Sequence, residues 1–148
     1  MAIWGVADPT PAALVYGTVA AGDVDCVAGT ETTVITTGPL AGLSPGPYYP
    51  LILCALTVVL GAAAPSALQF AFRLGAGSDV DVYVVEPGLL VALAEFIVPV
   101  YLVGVNSASA WQGAGSTINI TGLATTNDAT VKFVGSRALV GLSRGPDI

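Results

Sequence analysis

Histidine is absent from the 148 residues. That removes the commonest general base and the commonest metal ligand, and with them any Ser-His or Cys-His nucleophile arrangement. Only four residues are basic, Arg73, Lys132, Arg137 and Arg144, and the formal net charge is −6. Four scattered cations make no basic patch, so direct binding to a nucleic-acid backbone is not expected. Cysteine is limited to Cys26 and Cys54. Two thiols make no disulfide framework in a chain this long; they could pair, but they read more simply as buried free thiols acting as small apolar residues. Charged residues amount to 9% and hydrophobic ones to 54%, where an ordinary soluble domain has roughly 25% charged. So few charges cannot cover a monomer's surface well, which points to assembly.

Apolar runs long enough for a membrane helix are also missing. Residues 51–64 are nearly free of polar groups, but Pro65 follows, and the run falls short of the roughly 20 residues a spanning helix needs. Residues 88–105 are interrupted by Glu95 and Pro99. Neither segment has flanking Lys or Arg to set a topology, and both are rich in β-branched residues. No membrane partner is expected. The opening residues, Met-Ala-Ile-Trp-Gly-Val-Ala-Asp-Pro, show neither a basic n-region nor an apolar h-region, so no signal peptide is expected.

What is present is a set of short strands. Residues 1–12 read as an extended arm, held by Pro9 and Pro11. From residue 13 to 148 a single domain is expected, with strands at 13–21, 23–28, 31–37, 50–60, 67–74, 80–86, 96–105, 117–123, 129–134 and 137–143. Several alternate cleanly. Leu68, Phe70, Phe72 and Leu74 oppose Gln69, Ala71 and Arg73; Val80, Val82 and Val84 oppose Asp81 and Tyr83; Ile118 and Ile120 oppose Asn119 and Thr121; Val131 and Phe133 oppose Lys132. Period two argues half-buried strands. Thr126-Asn127-Asp128 reads as a hairpin tip, since Asn and Asp tolerate left-handed backbone. One helical candidate remains at 87–95, on Leu89, Leu90, Leu93 and Ala94, with a loop plus a short turn as the other reading. Residues 38–50 and 106–116 read as long loops.

Two strands depart from alternation. Residues 50–60 and 96–105 are apolar on both faces, with Leu51, Leu53 and Val59 pointing one way and Ile52, Leu56, Val58 and Leu60 the other. One core can use only one face. The other needs a cover, and a second copy of the chain is the expected cover. Leu51, Leu53, Val59, Ile97, Tyr101 and Val103 are the candidate interface residues.

No cluster of residues announces chemistry. Asp23-Val-Asp25 and Asp79-Val-Asp81 each put two carboxylates on one strand face. Such pairs could hold Ca²⁺ or work as acid and base, but a solvated strand face explains them as well. Asn119-Ile120-Thr121 is a formal glycosylation sequon without a secretory context. The Gly113–Ser116 stretch lacks the lysine and the helix of a phosphate cradle. No catalysis, cofactor or metal is expected. Trp4 and Trp111 either fold back on their own domain or insert into a partner.

Laid end to end, the strands resemble the single jelly rolls of the C1q and tumour-necrosis-factor type, which recur in phage and viral particle proteins. The resemblance is one of order and texture over roughly residues 13–145. It is carried by Ala-Ala-Leu-Val-Tyr-Gly-Thr-Val, Glu-Thr-Thr-Val-Ile-Thr-Thr, Leu-Ile-Leu-Cys-Ala-Leu-Thr-Val-Val-Leu, Leu-Gln-Phe-Ala-Phe-Arg-Leu, Ile-Asn-Ile-Thr-Gly-Leu-Ala, Ala-Thr-Val-Lys-Phe-Val-Gly and Arg-Ala-Leu-Val-Gly-Leu. It implies an all-β single jelly-roll β-sandwich of about 8–10 antiparallel strands that assembles as a homotrimer. It further implies a virion structural protein: a phage decoration (cement) protein on the capsid surface, bound to the major capsid protein, with Ile3 and Trp4 of the arm as docking contacts. The alternatives are a minor capsid, vertex, tail or receptor-binding protein of the same fold, with Tyr48, Tyr49 and Trp111 meeting sugars or a host protein, or a soluble ligand-binding sandwich using the Asp pairs.

Overall fold

A computed structural model describes residues 13–19, 22–37, 49–74, 78–103 and 118–143. They form ten strands: β1 (Ala13–Val19), β2 (Val24–Cys26), β3 (Thr32–Thr37), β4 (Tyr49–Leu60), β5 (Ala67–Leu74), β6 (Ser78–Val84), β7 (Glu95–Val103), β8 (Ile118–Thr125), β9 (Ala129–Val131) and β10 (Arg137–Ser143). No α-helix occurs among the described residues. Every strand pairing is antiparallel. One sheet runs β1–β10–β4–β7 and the other β3–β8–β5–β6. A short β2–β9 ribbon extends the first sheet beside the end of β4. The sheets meet where Thr18 and Val19 pair with Thr36 and Ile35. The result is the expected jelly-roll sandwich.

The core lies between the sheets. On β4 the inward positions are Cys54, Leu56, Val58 and Leu60; facing them are Leu68, Phe70 and Phe72 of β5, Ile120 of β8 and Val34 and Ile35 of β3. Two adjacent β3 residues are buried because the β3–β8 register shifts between Thr33 and Ile35, and a bulge turns an extra side chain inward. Gly122 sits where the layers are tightest. A Cβ there would lie 2.5 Å from Cys26 Sγ and 3.2 Å from Phe70 Cε1. Both thiols are unpaired and buried, and loss of solvation pushes each up to about 12.

The alternation in β5 holds, with Leu68, Phe70 and Phe72 inward. In β6 the inward side is the one carrying Tyr83, which packs on the core, while Val82 and Val84 are exposed. Register decides this: Tyr83 is opposite inward Phe70, and Val82 is opposite Ala71, and directly opposed residues share a face. Three readings need correction. The strand at 129–134 stops at Val131, and Phe133 is exposed in the following turn. Of the two readings of residues 87–95 the helix is the one corrected and the loop with a short turn holds: a 3-10 turn, Pro87–Leu89, is followed by irregular chain. Its apolar residues split, Leu90 and Ala94 packing on the core while Leu89 and Leu93 face out. Thr126–Asp128 is no hairpin tip, because β8 pairs with β3 and β5 whereas β9 pairs with β2 and β4. That turn carries the chain between sheets, and Thr126 takes its positive φ of 78°.

The connections 61–66, 85–94 and 126–128 gather at one end of the sandwich, tied together by Leu93 N–H to Gly61 O (2.9 Å), Ser66 N–H to Thr125 O (2.9 Å) and Asn127 Nδ2 to Ala64 O (2.9 Å). Ala13 and Ser143 lie at the opposite end, beside Tyr49.

Candidate functional site

Strands β4 and β7 pair along nine positions, from Leu51 opposite Val103 to Val59 opposite Glu95. The register brings all six candidate interface residues onto one face. Leu51 is opposite Val103, Leu53 opposite Tyr101, and Ile97 opposite Thr57, next along the strand to Val59. This face is the one turned away from the core: Cys54, Leu56, Val58 and Val98 are buried between the sheets, while Leu53 is 48% and Ile97 63% exposed. Val59 is half-buried and Pro99 exposed. The side chains of Leu51, Tyr101 and Val103 lie outside the described residues; their backbone positions continue the same rows.

The register extends the face to strands that sequence patterns alone did not connect to it. Leu139 is opposite Leu53, and Arg137 is opposite Ala55. Tyr16 of β1 is the next position beyond Leu139. No signal within 137–143 announces this, since a strand's neighbours are set by topology.

Along the strand direction the face changes character. Around Leu51 and Leu53 it holds aliphatic and aromatic residue types. Toward Val59 it holds Glu95, Thr57 and Thr130. Lys132 lies there too, its N–H bonding Thr57 O at 2.9 Å. Lys132 is salt-bridged to Asp23, which also accepts the Phe133 N–H at 2.8 Å. The ammonium and then that N–H hold the Asp23 carboxyl below the ordinary carboxylate range, and Asp23 in return raises Lys132. Asp25 accepts from the Thr130 hydroxyl at 2.7 Å. The first Asp pair is thus engaged as hydrogen-bond acceptors of β9 and its turn. The second belongs to β6, at the other end of the strand order, and its side chains lie outside the described residues. No group of three or more Cys, Asp or Glu arranged to hold a metal occurs among the described residues. No helix among them is long and apolar enough to cross a membrane.

The outer face of the other sheet carries a polar clamp that no local pattern in the sequence announces. Arg73 of β5 donates through Nε and Nη2 to Glu31 at 2.6 and 2.7 Å. Thr121 of β8, the last residue of the sequon, is buried and also donates to Glu31. Together with Gln69, Val82 and Leu123 they line a depression of about 80 Å³. Arg73, then Thr121, holds the Glu31 carboxyl below its ordinary value of 4.5. A lowered carboxyl pKa stabilises the fold above the unfolded value and loses that contribution as pH falls. Glu31→Gln is therefore expected to lower the melting temperature at pH 7, with a stability loss of no more than about 1 kcal/mol for so exposed a pair. Thermal melts across a pH series should show the gap from wild type closing below 4.5. A gap that stays constant to pH 3 would mean the ion pair contributes nothing.

Ile3, Trp4, Tyr48 and Trp111 lie outside the described residues, as does the side chain of Tyr49.

No protein-family model and no curated protein sequence matches the chain. Among solved structures it is similar to the VP2 subviral particle of infectious bursal disease virus, with TM-score 0.56 and 13% identity over 92% of this chain and 33% of that one. It is also similar to the T13 particle of the same virus, with TM-score 0.54 and 11% identity over 95% and 37%. The Gx strain structure of that virus gives TM-score 0.54 and 14% identity over 93% and 38%. This chain spans about a third of the length of those chains. At such identities the likeness is one of fold: a jelly-roll sandwich that in those structures is part of a viral particle.

Proposed function

We propose that this chain is a virion structural protein, a jelly-roll decoration protein that forms homotrimers on the outside of a capsid and binds the major capsid protein. The observation that carries this reading is the second apolar face of β4 and β7. Leu53 is 48% and Ile97 63% exposed in a chain with only 9% charged residues. Monomeric proteins seldom leave such a face open, and cyclic closure of copies covers it. The fold shared with viral-particle proteins supports placing the assembly in a virion, and the acidic chain suits the outer surface, away from packaged nucleic acid. Its action is mechanical: apolar burial, at roughly 25 cal/mol per Å², ties shell subunits together. The arm at 1–12, with Ile3 and Trp4, is proposed as one attachment to the shell.

The test is two-part. Sedimentation of the purified protein at micromolar concentration is expected to give a trimer. Added to particles of its own virus from which it has been stripped, full-length protein should bind more tightly than protein lacking residues 1–8, by roughly 30-fold for one buried aromatic anchor. A stable monomer that does not bind the particles would refute the reading. Equal binding by both forms would remove only the arm's role.

A further inference from the structure

We infer that the loop end of the sandwich is a preorganised docking knob, built on Leu89, Val91 and Leu93, that inserts into an apolar pocket with a neutral or basic rim on the shell protein. The inference rests on the attachment reading above and names the surface that makes the attachment.

Leu93 has two costly properties at once. Its φ is +59°, a left-handed conformation that a leucine adopts only under constraint. Its side chain is 75% exposed, so burial does not compensate the strain. Val91 and Leu89 beside it are 58% and 42% exposed. The loop is nevertheless held firmly. Leu90 and Ala94 anchor it on the core. Leu93 N–H bonds Gly61 O at 2.9 Å, Leu60 N–H bonds Ala94 O at 2.9 Å, and Ala94 N–H bonds Val91 O at 3.1 Å. Strain held by its surroundings, with an apolar side chain presented to water, is what a binding surface ready-made before its partner arrives requires.

The neighbouring loop adds exposed Gly61, Ala62 and Ala63, and residues 87–94 carry no charge. Around this apolar centre stand exposed Glu86 and Glu95, with exposed Asp128 in the adjoining turn. The acidic rim selects the occupant. A second copy docking end to end would bring like charges together. Anionic lipid headgroups would be repelled, and Lys132, which follows β9, is bound to Asp23. A different protein with a neutral or basic rim around an apolar pocket meets both conditions. The knob lies at the end of the sandwich opposite Ala13.

Leu93→Gly separates a docking role from a structural one. Glycine accepts φ of +59° without strain, so the melting temperature should stay level or rise, and sedimentation should match wild type. Binding to the stripped particles should fall tenfold or more. Val91→Ser, in ordinary backbone, should weaken binding in the same direction. If wild type binds and both variants bind equally well, the knob is not the contact and attachment runs elsewhere. If Leu93→Gly lowers the melting temperature, Leu93 is a structural residue and the inference fails. If wild type does not bind particles at all, the attachment reading itself fails. Wild-type binding to phosphatidylcholine vesicles, lost in Leu93→Gly, would reassign the knob to a membrane surface.

Discussion

Replacing Leu53 by aspartate is expected to leave each chain folded and to abolish its assembly. The two halves of that expectation have separate physical grounds. In the single chain Leu53 is 48% exposed, so a carboxylate there keeps much of its water, and the core face of β4, with Leu56, Val58 and Leu60, is untouched. In the proposed trimer the same position is covered, and three uncompensated carboxylates would be buried together. Each such charge costs several kcal/mol, and three exceed what an ordinary interface can offset. Sedimentation should therefore show a monomer, with a circular dichroism spectrum like that of wild type. Ile97→Asp should act alike, since Ile97 is 63% exposed on the same face. A mutant that still sediments as a trimer would show that copies meet through another surface. An unfolded mutant would show that this face supports the fold itself.

The second large effect is expected inside the sandwich. Gly122→Ala places a Cβ 2.5 Å from Cys26 Sγ, 3.2 Å from Phe70 Cε1 and 3.3 Å from Val34 Cγ2. Real Cβ atoms do not come that close to sulfur, so the Cys26 side chain and its neighbours must give way. Forcing one extra carbon into a packed core costs typically 1–3 kcal/mol, and here the upper value is expected because Cys26 is fully buried and has nowhere to go. That is a substantial share of the about 5–15 kcal/mol that holds an ordinary domain folded. Cys26→Ala removes the colliding sulfur and leaves a gap that the new methyl can fill. The double variant Cys26→Ala/Gly122→Ala should therefore be more stable than Gly122→Ala alone, a coupling that a double-mutant cycle in urea reads directly. Additive effects would mean that the collision is relieved by backbone shift and that Cys26 and Gly122 do not oppose each other.

Most strands were legible because they are short, bounded by turn residues and patterned at period two. Leu68, Phe70 and Phe72 announced their inward face, and the unbroken apolar runs at 50–60 and 96–105 announced that one face would be left over once a core had formed. Those are local properties of a pleated chain, in which successive side chains must point to opposite sides. The missing histidine and the scarcity of charge likewise spoke for themselves, since composition needs no fold to be read.

Other features depended on which strands became neighbours. The pattern of β6 could not say whether Tyr83 or Val82 faced inward; the partner Phe70 across the ladder decided it. Leu139 and Arg137 joined the β4–β7 face only because β10 pairs with β4. Glu31, Arg73 and Thr121 are 42 and 90 residues apart in chain and meet only through the β3–β8–β5 ladder. The loop at 85–94 was the least legible, because apolar residues at helical spacing also suit a chain that anchors two side chains and projects three. A period describes one segment, whereas register, crossing and left-handed backbone are imposed by segments distant in sequence. The β-sandwich and its spare apolar face were therefore determined by the sequence alone. The composition of that face, the clamp and the strained Leu93 knob were decided by the tertiary structure, where distant strands fix what each side chain meets.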